Sequence, residues 1–275
     1  MYKKDTYEKK IVKAMLKSMD CPEPIEKPGR PNFAGWGLSR ESARLLATDP
    51  NAFLLAAIFD RGILAEEAWE KPYQLKKRLG HLDLKKISLM SEEELQLEVG
   101  PQKHGKSLHR FYREISKSIL MASQLLLKKY KGNANNIWPN GTSVKTVSSR
   151  LLEFYGIGQK ISNMVLNFLV KYYGVYLTDW DKINIAVDRN VARVFLRTGL
   201  IPSKKGQKEY SIYEIKEAII EKARQLSPKF PGAIDEPAYY IGKQWCTAEG
   251  TYCDDEEEPC PLTDICTKRK GVTKY

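Results

Sequence analysis

Apolar residues recur every three or four positions through most of this chain, and alternating strand-like stretches are scarce. Ile11, Met15, Leu16 and Met19 share one face of a predicted helix over residues 6–19. The segment C-P-E-P-I-E-K-P-G-R-P then predicts an extended linker ending near Asn32, because the residue before each proline is pushed out of the helical region. Ser39 is placed to cap a helix carrying Ala43, Leu45 and Leu46, and Asp49-Pro50 opens another that runs to Phe59. Residues 64–79 turn Trp69 and Leu75 inward, and further helical spacing covers 91–98, 107–130, 142–154, 160–172, 190–198, 211–226 and 237–245. K-G-N-A-N-N and W-P-N-G mark loops. No internal repeat is found, and the expected fold class is all-α.

With 275 residues, 42% of them hydrophobic, the chain is able to bury one large core or two smaller lobes. No apolar run is long enough to span a bilayer, and M-Y-K-K-D-T-Y-E-K-K lacks the apolar centre of a signal peptide; the expectation is a soluble, cytoplasmic protein. A formal net charge of +11 and a pI near 9.2, kept despite the acidic run from Asp254 to Glu258, predict attraction to polyanions. Nucleic acid is the leading class of partner, although many soluble proteins are basic and charge alone does not select it.

Chemistry enters at F-Y-G-I-G-Q-K-I-S-N-M-V. Leu151, Leu152 and Phe154 close one helix, and Ile161, Met164, Val165, Phe168 and Leu169 form the buried face of the next. Between them Gly156 and Gly158 offer a positive φ or a close backbone approach, which makes a helix-hairpin-helix over about 147–172. The first free N–H groups of the second helix, from Gln159 onward, are suited to a nucleic-acid phosphate, aided by the helix dipole and without reading a base. A lone G-x-G-x-K also recurs by chance as an ordinary turn with a solvated lysine. Lys160, Asn163, Asn167 and Lys171 make up the opposite stripe of that helix.

Further along, Asp188 in V-D-R-N-V-A-R-V precedes a helix with Val191, Val194 and Phe195 inward, and capping alone would account for it. Cys246, Cys253, Cys260 and Cys266 are spaced C-x6-C-x6-C-x5-C, four of the chain's five cysteines in one short tail. Without a secretion signal, metal ligation is favoured over disulfides. Loops of this length suit an iron–sulfur cluster better than the paired C-x2-C knuckles of structural zinc, with zinc and disulfides the alternatives. Cys21 reads as a packing or free thiol, and His81, His104 and His109, which lack zinc-ligand spacing, as surface or packing residues.

Y-G-I-G-Q-K-I-S-N-M-V-L-N, V-D-R-N-V-A-R-V and the C-terminal cysteines, in that order, resemble the helix-hairpin-helix DNA glycosylases, in particular the endonuclease III branch. The family pattern is L-P-G-V-G-x-K, an aspartate starting a later helix, and C-x6-C-x2-C-x5-C; only the middle cysteine interval is longer here. The resemblance implies a two-lobed all-α fold and excision of a damaged base from double-stranded DNA by a monomer, with apurinic/apyrimidinic lyase activity. A non-catalytic DNA-binding or damage-sensing protein of the same fold is the alternative. Expected domains are an N-terminal segment 1–48 packing with the C-terminal lobe, a six-helix lobe 49–180, and a C-terminal lobe 181–275 holding a [4Fe–4S] cluster on the four cysteines within 246–266. Lys160 falls on the nucleophile position and Asp188 on the family aspartate, whose implied role is to stabilise positive charge developing on the sugar or to accept a proton from the lysine or water, with Asp179 or Asp181 in reserve because the interval between lysine and aspartate is longer here. Gly156, Gly158 and Gln159 would hold DNA, Arg61 would fill the gap left by the extruded base, and Lys268, Arg269 and Lys270 would supply phosphate contacts, since the loop T-A-E-G-T-Y after Cys246 carries no cation. The damaged base itself is not specified.

Overall fold

The computed structural model describes residues 2–19, 24, 26–33, 37–102, 105–202, 210–255 and 257–266. Among these the regular structure is helical, with isolated β-bridges in place of strands. By internal contacts the chain forms two units, Met1–Glu23 with Asp179–Tyr275, and Pro24–Thr178. The divisions thus fall after residues 23 and 178, where the sequence suggested 48 and 180. His104, Cys21, Lys268, Arg269 and Lys270 lie outside the described residues.

Helix α1 (Tyr2–Lys17) belongs to the first unit. The second unit holds α2 (Arg40–Thr48), α3 (Pro50–Phe59), α4 (Ala65–Leu79), α5 (Leu84–Ser88), α6 (Glu92–Val99), α7 (Tyr112–Lys129), α8 (Val144–Leu151) and α9 (Gln159–Lys171). The first unit resumes with α10 (Arg189–Arg197), α11 (Ile212–Leu226) and α12 (Asp235–Gln244).

In the second unit α3 is the central element. Asp49 starts it, its carboxylate accepting from the backbone N–H of Asn51 at 2.9 Å, and Pro50 fills the first turn, where no N–H is needed. Every residue from Ala52 to Phe59 is buried, as expected of a helix apolar all round. α2 and α4 pack on it, which draws residues 40–48 into this unit. Phe53 anchors an aromatic group, with ring centroids 4.5 Å from Tyr173, 5.3 Å from Trp69 and 5.8 Å from Trp138. α5, which the apolar spacing did not reveal, is too short to display a period; Asp83 caps it through the N–H of Lys85 at 2.8 Å. α7 starts at Tyr112 rather than near 107, because His109 Nδ1 accepts from the Phe111 N–H and the Ser107 hydroxyl donates to the His109 carbonyl, holding these residues in turns.

The first unit is built round α10. Val191, Val194 and Phe195 join Ile11 and Met15 of α1, Ile219 of α11 and Ile241 of α12 in one core that extends to Cys246, Cys253 and Cys260. α12 lies close against α10 at Gly242, where an added Cβ would stand 2.5 Å from the Asn190 carbonyl oxygen.

Candidate active site

The hairpin forms where the sequence placed it. Ser143 starts α8 by accepting from the Thr146 N–H, and the chain leaves α8 through Leu152 and Phe154 into the glycine turn. Gly156 has φ +91°, and a Cβ there would meet Ser118 Oγ at 2.9 Å and an Arg61 guanidinium nitrogen at 3.0 Å. Both the backbone conformation and the space demand glycine. Gly158 differs: it is the N-cap of α9, extended at φ −99°, and a Cβ added there would meet nothing within 4 Å. Its surroundings are open, and the glycine cap offers the first N–H groups of α9 no side-chain acceptor. Gln159 opens the helix and donates to Asn163 Oδ1 at 3.3 Å.

Lys160 is the second residue of α9. Its Nζ lies 2.5 Å from Oδ2 of Asp60, the residue that ends α3, and 3.9 Å from Met164 Sδ. The lysine side chain keeps 35% of its surface exposed while that of Asp60 keeps 6%, so a reachable ammonium sits on a carboxylate withdrawn from water. The stripe of Asn163, Asn167 and Lys171 below it is buried rather than solvated. Arg61, next to Asp60, directs its guanidinium to Ser118 Oγ at 3.5 Å and so stands against the Gly156 turn. Lys160, Arg61, Gly156, Gly158 and Gln159 therefore belong to one unit and one neighbourhood. His109 lies below, packed on Phe59 with ring centroids 6.3 Å apart. Burial pushes it from 6.5 down to about 4 against the pull of the Arg61 backbone, and the charges of Arg110, Arg61 and Lys71 add to the depression. Its Nε2 makes no hydrogen bond of ordinary geometry; the Arg61 backbone is merely near enough to favour the charged ring.

Asp188 belongs to the other unit. It is the N-cap of α10, accepting from the Val191 N–H at 2.8 Å, and its carboxylate is half-buried. Asp179 pairs with Lys182 at 3.4 Å, and Asp181 is exposed in the same short turn. Along α10 two arginines that the sequence pattern did not single out, Arg193 and Arg197, are buried and hold the segment bearing the first cysteine. Arg193 donates to the carbonyls of Cys246 at 2.7 Å and Gly242 at 2.9 Å, and Arg197 to those of Thr247 at 2.9 Å and Gly250 at 3.3 Å.

Cys246, Cys253 and Cys260 are 5%, 8% and 6% exposed, and Cys266 is half-buried beside them. None forms a disulfide. Backbone bonds fold the segment on itself: the Tyr252 N–H donates to Trp245, that of Cys260 to Cys253 at 3.0 Å, and that of Cys266 to Leu262 at 2.7 Å. The thiols feel one another: burial first, then the other cysteines, push Cys260 up to about 12, while burial raises Cys246 against the opposing pull of Arg197. Among the described residues no three His, Cys, Asp or Glu side chains are grouped to hold a metal ion. The donor set fits an iron–sulfur cluster in kind: four soft thiols border one apolar core, with Arg197 beside Cys246, and a cluster spreads its ligands over several irons.

Searched against family models, the chain matches none. It is 28% identical over 173 residues to endonuclease III of Rickettsia prowazekii (strain Madrid E), a match over 62% of this chain and 64% of that protein, just under two thirds of the relative's length. In fold it is similar to a non-covalent endonuclease III–DNA complex, with a TM-score of 0.62 at 18% identity over 97% of this chain and 96% of the other. A trapped covalent endonuclease III–DNA intermediate gives a TM-score of 0.55 at 19% identity, covering 84% and 92% of the two chains. A thermostable thymine-DNA glycosylase gives 0.58 at 14% identity, covering 97% and 98%. In fold the chain is similar to these endonuclease III and DNA-glycosylase structures.

Within this endonuclease III-like fold, Asp60 is a functional candidate that the sequence pattern did not single out. A signal was present: a carboxylate directly after the apolar run L-L-A-A-I-F is buried and requires a cationic partner. Arg193 and Arg197 carried a similar signal, being spaced i, i+4 beside Val194 and Phe195. No helix of the described residues is long and apolar enough to cross a membrane.

Proposed function

We propose that the protein is a base-excision DNA glycosylase with associated apurinic/apyrimidinic lyase activity, acting as a cytoplasmic monomer on double-stranded DNA that carries a damaged base. The observation that carries the reading is Lys160: a partly exposed amine at the second position of α9, directly after a glycine turn whose front is open. The backbone N–H groups of that turn and of Gln159 would grip phosphate, while Arg61 would fill the gap left by the extruded base. The neutral amine of Lys160 would attack C1′ of the damaged nucleotide, expel the base and leave a Schiff base, from which β-elimination cuts the strand. Asp188 would stabilise the positive charge that develops on the sugar. Cys246, Cys253, Cys260 and Cys266 would hold a [4Fe–4S] cluster, which when bound cross-links the C-terminal segment and supplies a structural staple.

Borohydride trapping on duplexes that each carry one lesion, or one abasic site, tests the reading. The expected result is a covalent adduct with wild-type protein, lost in Lys160→Gln while DNA binding persists, since the phosphate grip is made by backbone groups. The lesion that yields strand cleavage names the substrate. Binding without any adduct would instead mark a damage sensor.

A further inference from the structure

The position of Lys160 raises a problem that its role as nucleophile leaves unsolved. Attack needs a neutral amine, and an amine in water near neutral pH is an ammonium. Some group has to take the proton, and it has to stand within hydrogen-bond reach of Nζ. Asp60 Oδ2 is 2.5 Å away.

Three features suit Asp60 to this task. Its carboxylate is almost wholly withdrawn from water, 6% exposed, so it does not exchange freely with solvent acids and bases. It is fixed rather than swinging: Asp60 ends α3, its N–H bonded back to the Ala57 carbonyl at 3.3 Å, on a helix buried from Ala52 onward. The lysine, for its part, stands in the first turn of α9, at the positive end of the helix dipole. The thioether of Met164, 3.9 Å from Nζ, gives one wall of low polarity. Other charged or titratable groups on the adjoining segments are Arg61 and Arg110, cationic; Glu114 of α7, which accepts from the Tyr155 hydroxyl; Lys117, set over the Tyr155 ring; and His109.

We infer that Asp60 is the general base for Lys160, taking the ammonium proton when DNA is bound and returning it to the departing oxygen. The inference rests on the lyase reading above and deepens it. At an abasic site the proton moves from Nζ to the Asp60 carboxylate, and the freed electron pair forms the N–C1′ bond as the aldehyde π pair moves onto oxygen. That oxygen takes one proton from the nitrogen to become the carbinolamine hydroxyl. It then leaves as water with the proton handed back by Asp60, and the nitrogen lone pair forms the iminium. Lysine ammonium and aldehyde thus become iminium and water, with no oxidant, reductant or further reactant.

Single-turnover borohydride trapping at a pre-formed abasic site, followed from pH 5 to 10 in wild type, Asp60→Asn, Asp60→Glu and Lys160→Gln, tests this. In Asp60→Asn trapping at pH 7 should fall about a hundredfold, the scale of a lost general base, and recover as hydroxide replaces the carboxylate at high pH. A purely anchoring Asp60 predicts the opposite sign: without the anion beside it the ammonium gives up its proton more readily, so trapping at pH 7 is unchanged or faster and the half-plateau pH moves down. That outcome would overturn the inference while leaving the lyase reading intact. Asp60→Glu, which keeps the carboxylate, should trap within about tenfold of wild type. If the Asn variant fails to fold, as its melting curve will tell, a folded Glu variant as inert as Lys160→Gln would overturn the inference by itself. Absence of any adduct with wild type would overturn the lyase reading and this inference together.

Discussion

Asp188 has two possible employments that differ in what its loss would do. As an N-cap it holds the Val191 N–H at 2.8 Å, and Asp188→Asn, which keeps a capping oxygen, should cost no more than about 1 kcal/mol of stability with near-normal rates. As an electrostatic partner of the reacting sugar its charge matters, and the same variant should slow base release by about a hundredfold yet still trap at a pre-formed abasic site. Single-turnover kinetics beside a melting curve separate the two, and the second outcome is expected. His109 gives a prediction in pH. Its folded-state value, about 4, lies below the ordinary 6.5, so the unfolded chain takes up a proton over a range in which the folded one does not. The stability at stake is full above about pH 6.5, falls as the pH drops, and levels off below about 4. Between pH 7 and pH 5 the loss from this one residue should be about 2 kcal/mol, and His109→Gln should show a correspondingly shallower dependence in denaturant titrations at the two pH values.

At the scale of the element, the two hairpin glycines separate stability from binding. Gly156→Ala forces a side chain into a φ of +91° and against Ser118 and Arg61, and should cost about 1–3 kcal/mol in a melting experiment. Gly158→Ala meets nothing within 4 Å and needs no unusual φ, so the fold should be unaffected. If the start of α9 grips phosphate, however, the added methyl stands in the approach path, and affinity for duplex DNA should fall by about tenfold, roughly one charge-assisted hydrogen bond. α10 shows how an element serves two ends: Asp188 begins it, while Arg193 and Arg197 inside it hold the carbonyls of Gly242, Cys246, Thr247 and Gly250. The cysteine segment is thereby fastened to the helix that carries the candidate catalytic aspartate. Protein purified without oxygen should be yellow-brown and contain about four irons per chain, and Cys253→Ser should loosen the C-terminal segment to proteolysis more than it alters trapping.

For the molecule as a whole, the net charge of +11 is the property that a polyanion would read first. Each phosphate neutralised releases counterions, so affinity for undamaged duplex should fall by about tenfold or more between 50 and 200 mM salt. A flat salt response in a binding titration would argue against DNA as the partner. The loop between Cys246 and Cys253 contributes no cation to this effect, and its carbonyls are turned instead to Arg197.

Local chemistry was readable from the chain because its determinants lie within a few residues of one another. Asp49-Pro50, Ser143 and Asp188 start helices through bonds to N–H groups two or three positions on; Gly156 permits the hairpin turn; and the periodicity of Val191, Val194 and Phe195 marks a buried face before any partner is known. Contacts between distant residues leave no such period. Lys160 and Asp60 are 100 residues apart and meet because the end of α3 and the start of α9 are brought together within one unit, while residues 40–48 join that unit through α2. The buried arginines of α10 find their partners in the carbonyls of a segment some 50 residues on. Burial turns an ordinary carboxylate or guanidinium into a group that must find a partner, and which partner it finds is settled by packing rather than by any neighbour in sequence.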